Sequence, residues 1–262
     1  MATAVKKILF SIDLEEFDLP EEYGCMLPVE EKLQVSLQGM QALETLMDKH
    51  GVTATIFTTA FWALHQKEYM KVLAEKHEIA SHTYYHDRFN SEDMALSKSV
   101  LQEITGQPIY GMRMPKMTSV NVADVLAAGY EYDSSLNPTW LPGRYNHFNK
   151  PRLVYCTNAM WEMPASVTPI FRVPVFWLAF KNFPFWVYKM LCNRILQHDG
   201  YIIFYVHPWE FTDLSKYKIP VITKKIDGER LLNRLDKLFT YLQTKASFTT
   251  HQSFLEDIKK AS

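Results

Sequence analysis

Short runs rich in β-branched and aromatic residues, most ending in a polar side chain, alternate with longer amphipathic stretches along this 262-residue chain. Parallel neighbours need a crossover, and a helix that lays its apolar stripe on the sheet is the usual one. The alternation therefore predicts a parallel sheet wrapped by helices. Strands are expected at Lys7–Asp13, Thr53–Thr58, Glu78–Ser81, Ile109–Arg113, Tyr130–Asp133, Tyr201–His207 and Phe248–Thr250. Helices are expected at Glu30–Lys49, Lys67–His77, Ser91–Ile104, Val120–Ala128, Phe185–Gln197 and Gly228–Leu242. Leu33, Leu37, Met40, Leu43 and Met47 give the first helix its stripe, and Gly51 closes it. Residues 134–169, rich in Pro, Asn and Gly, read as loops and hairpins over one barrel mouth, with a β-like piece at Ala159–Met163. No repeat or linker interrupts the pattern, so residues 1–262 are read as one domain, a length at which alternating barrels form single units.

Charge narrows the partners. The chain carries 28 basic and 29 acidic residues with no long block of either sign, so a nucleic-acid partner is not expected. Cys25, Cys156 and Cys192 are odd in number and far apart, which argues against a disulfide framework and for a reducing, cytosolic setting. The amino terminus runs into Ile8–Ile12, too short for the apolar core of an export signal. The aromatic stretch Ile170–Cys192 is broken by Arg172, Lys181, Lys189, Pro174 and Pro184, so no transmembrane segment is expected. Its rings belong either to the core or an interface, or to a peripheral contact with a membrane through residues 170–192.

Asp13, His82, Arg113, Asp133 and His207 stand at or just beyond the carboxyl ends of five expected strands, the edge where parallel β/α folds build their chemistry. His82 and His86 form His-x3-His, a spacing that puts two imidazoles on one side of a turn and suits zinc, cobalt or nickel. Two surface histidines in a polar loop would give the same spacing. Asp13 and Glu15 share a face if the first strand continues, and a carboxylate with two histidines is a common ligand set for hydrolytic zinc. With Asp18, Glu21 and Glu22 nearby, a solvated acidic loop is the competing account. His207 closes an apolar run and precedes Pro208-Trp209-Glu210, where Trp209 offers a face on which a sugar could stack.

Taken in order, Ser-Ile-Asp-Leu-Glu-Glu (11–16), Ser-His-Thr-Tyr-Tyr-His (81–86), Arg113-Met114-Pro115, Tyr132-Asp133-Ser134-Ser135 and Val206-His207 resemble the five motifs of the polysaccharide deacetylase family. The resemblance implies a distorted (β/α) barrel of about seven parallel strands. It implies a metal-dependent hydrolase, zinc its expected ion, that removes N-acetyl groups from an amino sugar in a polysaccharide or lipid-linked glycan precursor; the closest branch is found near surface-polysaccharide synthesis functions. Asp13 would be the general base; Glu15, His82 and His86 would hold the metal; Arg113 would orient Asp13. His207 would donate a proton to the leaving amine, kept charged by Asp133 or another acid, and Trp209, Pro115 and Tyr85 would contact substrate. The family usually has Asp where Glu15 stands, Tyr-Gly where Lys116-Met117 stands, and a Trp beside Asp133, a place that Trp140 or Trp161 would have to fill. A catalytically silent glycan-binding relative and an amidohydrolase acting on a small non-sugar amide are the alternatives.

Overall fold

The structure is a computed structural model describing residues 5–143 and 145–261, so the first four residues of the amino terminus lie outside the described residues. Strands β1 (Lys7–Leu14), β2 (Thr55–Thr58), β3 (Glu78–Ser81), β4 (Gly111–Met112), β5 (Tyr132–Asp133), β9 (Met160–Glu162) and β10 (Tyr201–Val206) form a curled sheet in the order β10-β1-β2-β3-β4-β5-β9, every neighbour parallel. Their number is that of the expected distorted barrel, but residues 160–162 take the place of the expected strand Phe248–Thr250, which is reduced to a two-residue pairing at Ser247–Phe248. A short strand β8 (Tyr155–Thr157) pairs antiparallel with β9, β11 (Ser247–Phe248) adds to the start of β1, and β6 (Trp140–Leu141) with β7 (Tyr145–Asn146) makes a separate hairpin. The β-like piece near residue 160 is thus a barrel strand and not a loop over the mouth. Past β9 the chain turns toward β10 and meets it at Ser166, whose N–H donates to the Ile203 carbonyl at 2.9 Å and whose Oγ accepts from the Ile203 N–H at 2.8 Å.

Strand alternation separates two cores. Ile8, Phe10, Ile12, Ile56, Ile79, Ile202 and Phe204 join the cluster under the helices α1 (Val29–His50), α2 (Ala60–His65), α3 (Lys67–Lys76), α4 (Glu92–Thr105), α5 (Val122–Ala127), α6 (Trp177–Asn182), α7 (Phe185–Asp199), α8 (Val221–Lys224) and α9 (Gly228–Gln243). Leu9, Phe57, Ala80, Tyr132, Met163 and Ile203 form a second cluster on the opposite, inner face, together with Phe254 and Leu255 of α10 (His251–Ala261). The first turn of α10 donates to Thr55 Oγ1 and Glu78 Oε2 at the starts of β2 and β3, so this helix floors the barrel. The opposite, carboxyl-end opening is the mouth.

Two close contacts tie α1 to that mouth. Gly39 lies against the Pro208 carbonyl so tightly that an added Cβ would stand 1.8 Å from its oxygen. Ser36 Oγ donates to the Glu15 carbonyl at 2.5 Å.

Candidate metal and acid–base site

Along β1 and its continuation, alternation sends Ile12 and Leu14 outward and Asp13 and Glu15 toward the mouth. Glu15 Oε2 lies 3.2 Å from His82 Nε2 and 3.0 Å from His86 Nε2. The carboxylate and imidazole donor atoms of Glu15, His82 and His86 all lie within 4.8 Å of one another, and all three residues are buried. His82 follows β3; Thr83 then turns the chain through a left-handed conformation (φ 64°), which returns His86 to the same carboxylate. The outer nitrogens are tied down: His82 Nδ1–H donates to the Arg113 carbonyl and His86 Nδ1–H to Asp18 Oδ2, each at 2.8 Å. These bonds leave both Nε2 atoms facing the carboxylate, the arrangement that ligating histidines adopt, so the residues present fit a divalent ion. Trp209 Nε1–H donates to the other Glu15 oxygen at 3.1 Å.

The electrostatics follow from this crowding. Burial alone would raise the Glu15 carboxyl, but the charges of His86 and His207 and hydrogen bonds from His82 and His86 hold it well below its ordinary range. His86 is opposed by burial yet driven well above the usual imidazole value by Glu15 and Asp18.

Arg113, fully buried, donates from Nη1 to Asp13 Oδ1 at 2.5 Å and to Ser11 Oγ at 3.0 Å, while Nε and Nη2 hold the Ser134 carbonyl and hydroxyl. Asp13 Oδ2 faces His207 Nε2 at 3.9 Å. His207 is boxed by Trp177, edge-on at 5.1 Å, and Trp209, stacked at 5.0 Å. Burial disfavours its charge, but Glu15, Glu210 and Asp13 raise its pKa above the ordinary imidazole value. A cavity of about 80 Å³, lined by Asp13, Glu15, His86, Trp177, Tyr205 and His207, opens between the metal-ligand set and the acid–base pair. Beyond it a cleft of about 400 Å³ runs past Glu22, Lys116 and His147, and a Lys116–Glu22 ion pair of 2.5 Å stands where the two meet.

Several expected residues fall elsewhere. Asp133 does not reach His207: β5 turns Tyr132 and Ser134 inward, and Asp133 faces outward beside Glu162, its partner in register on β9. Glu210 takes the place expected for it, accepting from His207 Nδ1–H at 3.0 Å and from the His207 N–H at 2.8 Å across a single 3-10 turn. Trp209 is buried and packs on Phe17 (5.4 Å); it supports Glu15 and His207 and lines the wall of the cavity beside His207. Tyr85 packs against Phe61 and under Arg88, away from the cavity, and Pro115 is buried in the turn that carries Lys116 and Met117. Trp140 is exposed and Trp161 packs toward the barrel floor; the tryptophan that joins Trp209 beside His207 is Trp177, from the aromatic stretch. In that stretch Phe176, Trp177, Phe180 and Tyr188 are core, leaving Phe171 (80% exposed) and Trp186 (68%) as the outward rings. No helix among the described residues is long and apolar enough to cross a membrane.

Residues 37–132 match the family model described as polysaccharide deacetylase. Among solved structures, a protein of Pseudomonas aeruginosa PAO1 assigned as a polysaccharide deacetylase superposes with TM-score 0.66 at 17% identity, over 94% of this chain and 88% of that one. The chain resembles the polysaccharide deacetylases in sequence and in fold. A Mycobacterium smegmatis protein assigned to the same class matches over 100% of this chain and 93% of that one (TM-score 0.66, 15% identity), and an allantoinase over 94% and 88% (0.63, 16%). At such identities the likeness is one of fold. Residues 134–256 match a domain of unknown function, DUF3473. No curated protein matches the chain. His82, His86 and Arg113 lie in the deacetylase segment, His207 and Glu210 in the second segment, and Asp13 and Glu15 before both. One sheet joins all three.

Proposed function

We propose that the protein is a metal-dependent N-deacetylase acting on an N-acetylated amino sugar of a polysaccharide or lipid-linked precursor. The observation that carries this reading is the convergence of Glu15, His82 and His86 on one point, across an 80 Å³ cavity from the Asp13–His207 pair. A divalent ion held by those three residues would supply Lewis acidity, lowering the pKa of water and polarising a carbonyl. Asp13, fixed by Arg113, accepts the proton of the attacking water. His207, charged and pinned at Nδ1 by Glu210, donates from Nε2 to the departing nitrogen, because an amine leaves only when protonated. Trp177 and Trp209 keep bulk water from that imidazole. The acetyl group would enter the cavity between the ligand set and the acid–base pair, and the sugar would lie outward over the wider cleft.

The test is acetate release from a panel of N-acetylated amino sugars and glycans, with and without chelator. Release should stop on chelation and return with zinc, cobalt or nickel, and the rate should fall as pH rises through the raised His207 value. Release that survives chelation would sink the metal chemistry; none from any N-acetylated glycan with metal-loaded protein would sink the substrate class.

A further inference from the structure

Lys181 on α6 is buried, its Nζ 3.0 Å from Glu210 Oε2 and donating to the Thr223 carbonyl at 2.6 Å. An apolar pair of equal volume would often hold these elements together as well, so packing alone gives no reason for an ammonium here. Glu210 divides its carboxylate: Oε1 accepts from His207 at both the backbone N–H and Nδ1, and Oε2 meets Lys181. Trp177 and Trp209 flank the Lys181 ammonium at 5.6 and 5.5 Å and flank His207 as well, so one aromatic box encloses all three groups.

We propose that Lys181 is a positioning residue for the His207 acid: its ion pair with Glu210 Oε2 holds the carboxylate so that Oε1 stays on Nδ1, which leaves the transferable proton at Nε2 facing the cavity. The inference rests on His207 serving as the acid. His207 is faced by Asp13 and Glu15 from β1 and by Glu210 from the turn after β10. Lys181 reaches it from α6 through Glu210 and offsets that carboxylate, as Arg113 offsets Asp13 and His86 offsets Glu15, so that His207 can release its proton instead of retaining it.

The experiment compares Lys181→Met, Lys181→Arg, Glu210→Gln and the double variant Lys181→Met/Glu210→Gln. The readouts are ¹⁵N NMR of the His207 ring in metal-free protein and acetate release as a function of pH. In Lys181→Met the His207 titration should move up by on the order of one pH unit, since a compensating positive charge is gone. Its plateau rate should fall on the order of tenfold, short of the roughly hundredfold that a full 1 Å misplacement can cost, while Lys181→Arg stays closer to wild type. In the Glu210→Gln background the loss of Lys181 should cost little further in rate, because the carboxylate through which it positions His207 is gone. The double variant removes both buried charges and serves if Lys181→Met alone does not fold. Unchanged ring signals in folded Lys181→Met, or losses that multiply in the double variant, would overturn the proposal. The NMR arm needs no substrate, so a shifted ring in a protein with no deacetylase activity would keep this role for Lys181 and sink the reaction instead.

Discussion

The indole N–H of Trp209 and the two imidazole Nε2 atoms divide Glu15 between them, one oxygen each way. A ligating carboxylate whose second oxygen is hydrogen-bonded is oriented before an ion arrives, and loss of such a partner typically weakens metal binding about 10- to 100-fold. Trp209→Phe keeps most of the ring packing and removes the donor. Zinc affinity, measured by competition with a chromophoric chelator, should drop by that order, with activity recovered at high zinc; unchanged affinity would mean that the indole is packing only. Much of this residue-scale arrangement was legible. The two-residue period of β1 puts Asp13 and Glu15 on one face, and the strand-end positions of His82, Arg113 and His207 bring them to one opening. Asp133 misled because a strand end says nothing about which face a side chain takes, and here Tyr132 claims the inner one. Glu210 had a readable signal, an acid three residues after a strand-end histidine with Pro between, the spacing that closes a single helical turn.

On β5 and β9 the outward neighbours Asp133 and Glu162 form a carboxylate pair, Asp133 buried and Glu162 half-buried. Burial, moderated by hydrogen bonds from Ser135, lifts Asp133 to about 6; burial and the charge of Asp133 lift Glu162 well above its ordinary value. Raised folded-state pKa values favour the folded protein when the acids are protonated. Their stabilisation is therefore complete below the unfolded values near 4 and is lost as pH rises through about 6 and beyond. Glu162→Gln, which keeps the acceptor for the Leu136 N–H, should stabilise the protein by roughly 1–2 kcal/mol at pH 8 and by little at pH 5. Denaturant midpoints at the two pH values measure this, and an equal effect at both would remove the electrostatic account. Long elements with a strong period, such as α1, α7 and α9, were readable to within a residue or two at each end. The six-residue α2 and α6 were not, because a helix that short has too few turns to show a period. α10 was missed although Phe254, Leu255 and Ile258 mark one face, since it follows β11 with almost no connection.

The barrel is floored by a single helix. Phe254 and Leu255 fill the inner cluster beneath Leu9, Phe57 and Tyr132, so Leu255→Ala should cost about 2–5 kcal/mol, the range for emptying a packed core position. A lowered denaturant midpoint with unchanged zinc affinity is expected, because the ligands stand at the opposite end; loss of both together would mean that floor and mouth are not separable. At this scale the parallel, helix-wrapped sheet was legible from alternation, and its closure was not, since nothing in the pattern of runs says where two sheet edges meet.

That closure has a mechanical meaning. His207, Asp13, Glu15, His82 and Arg113 hang from β10, β1, β3 and β4, along an arc joined by continuous ladders, whereas the far edge is stitched to β10 at Ser166. Such a shell is laddered along one side and held by a few hydrogen bonds on the other, a difference that would make the second side the more compliant. Strain from a bulky ligand, or from insertions between residues 134 and 175, can be absorbed at the seam while the spacing between metal ligands and proton donor stays fixed. The mouth would then act as a fixed jaw carrying the chemistry, set against a yielding one.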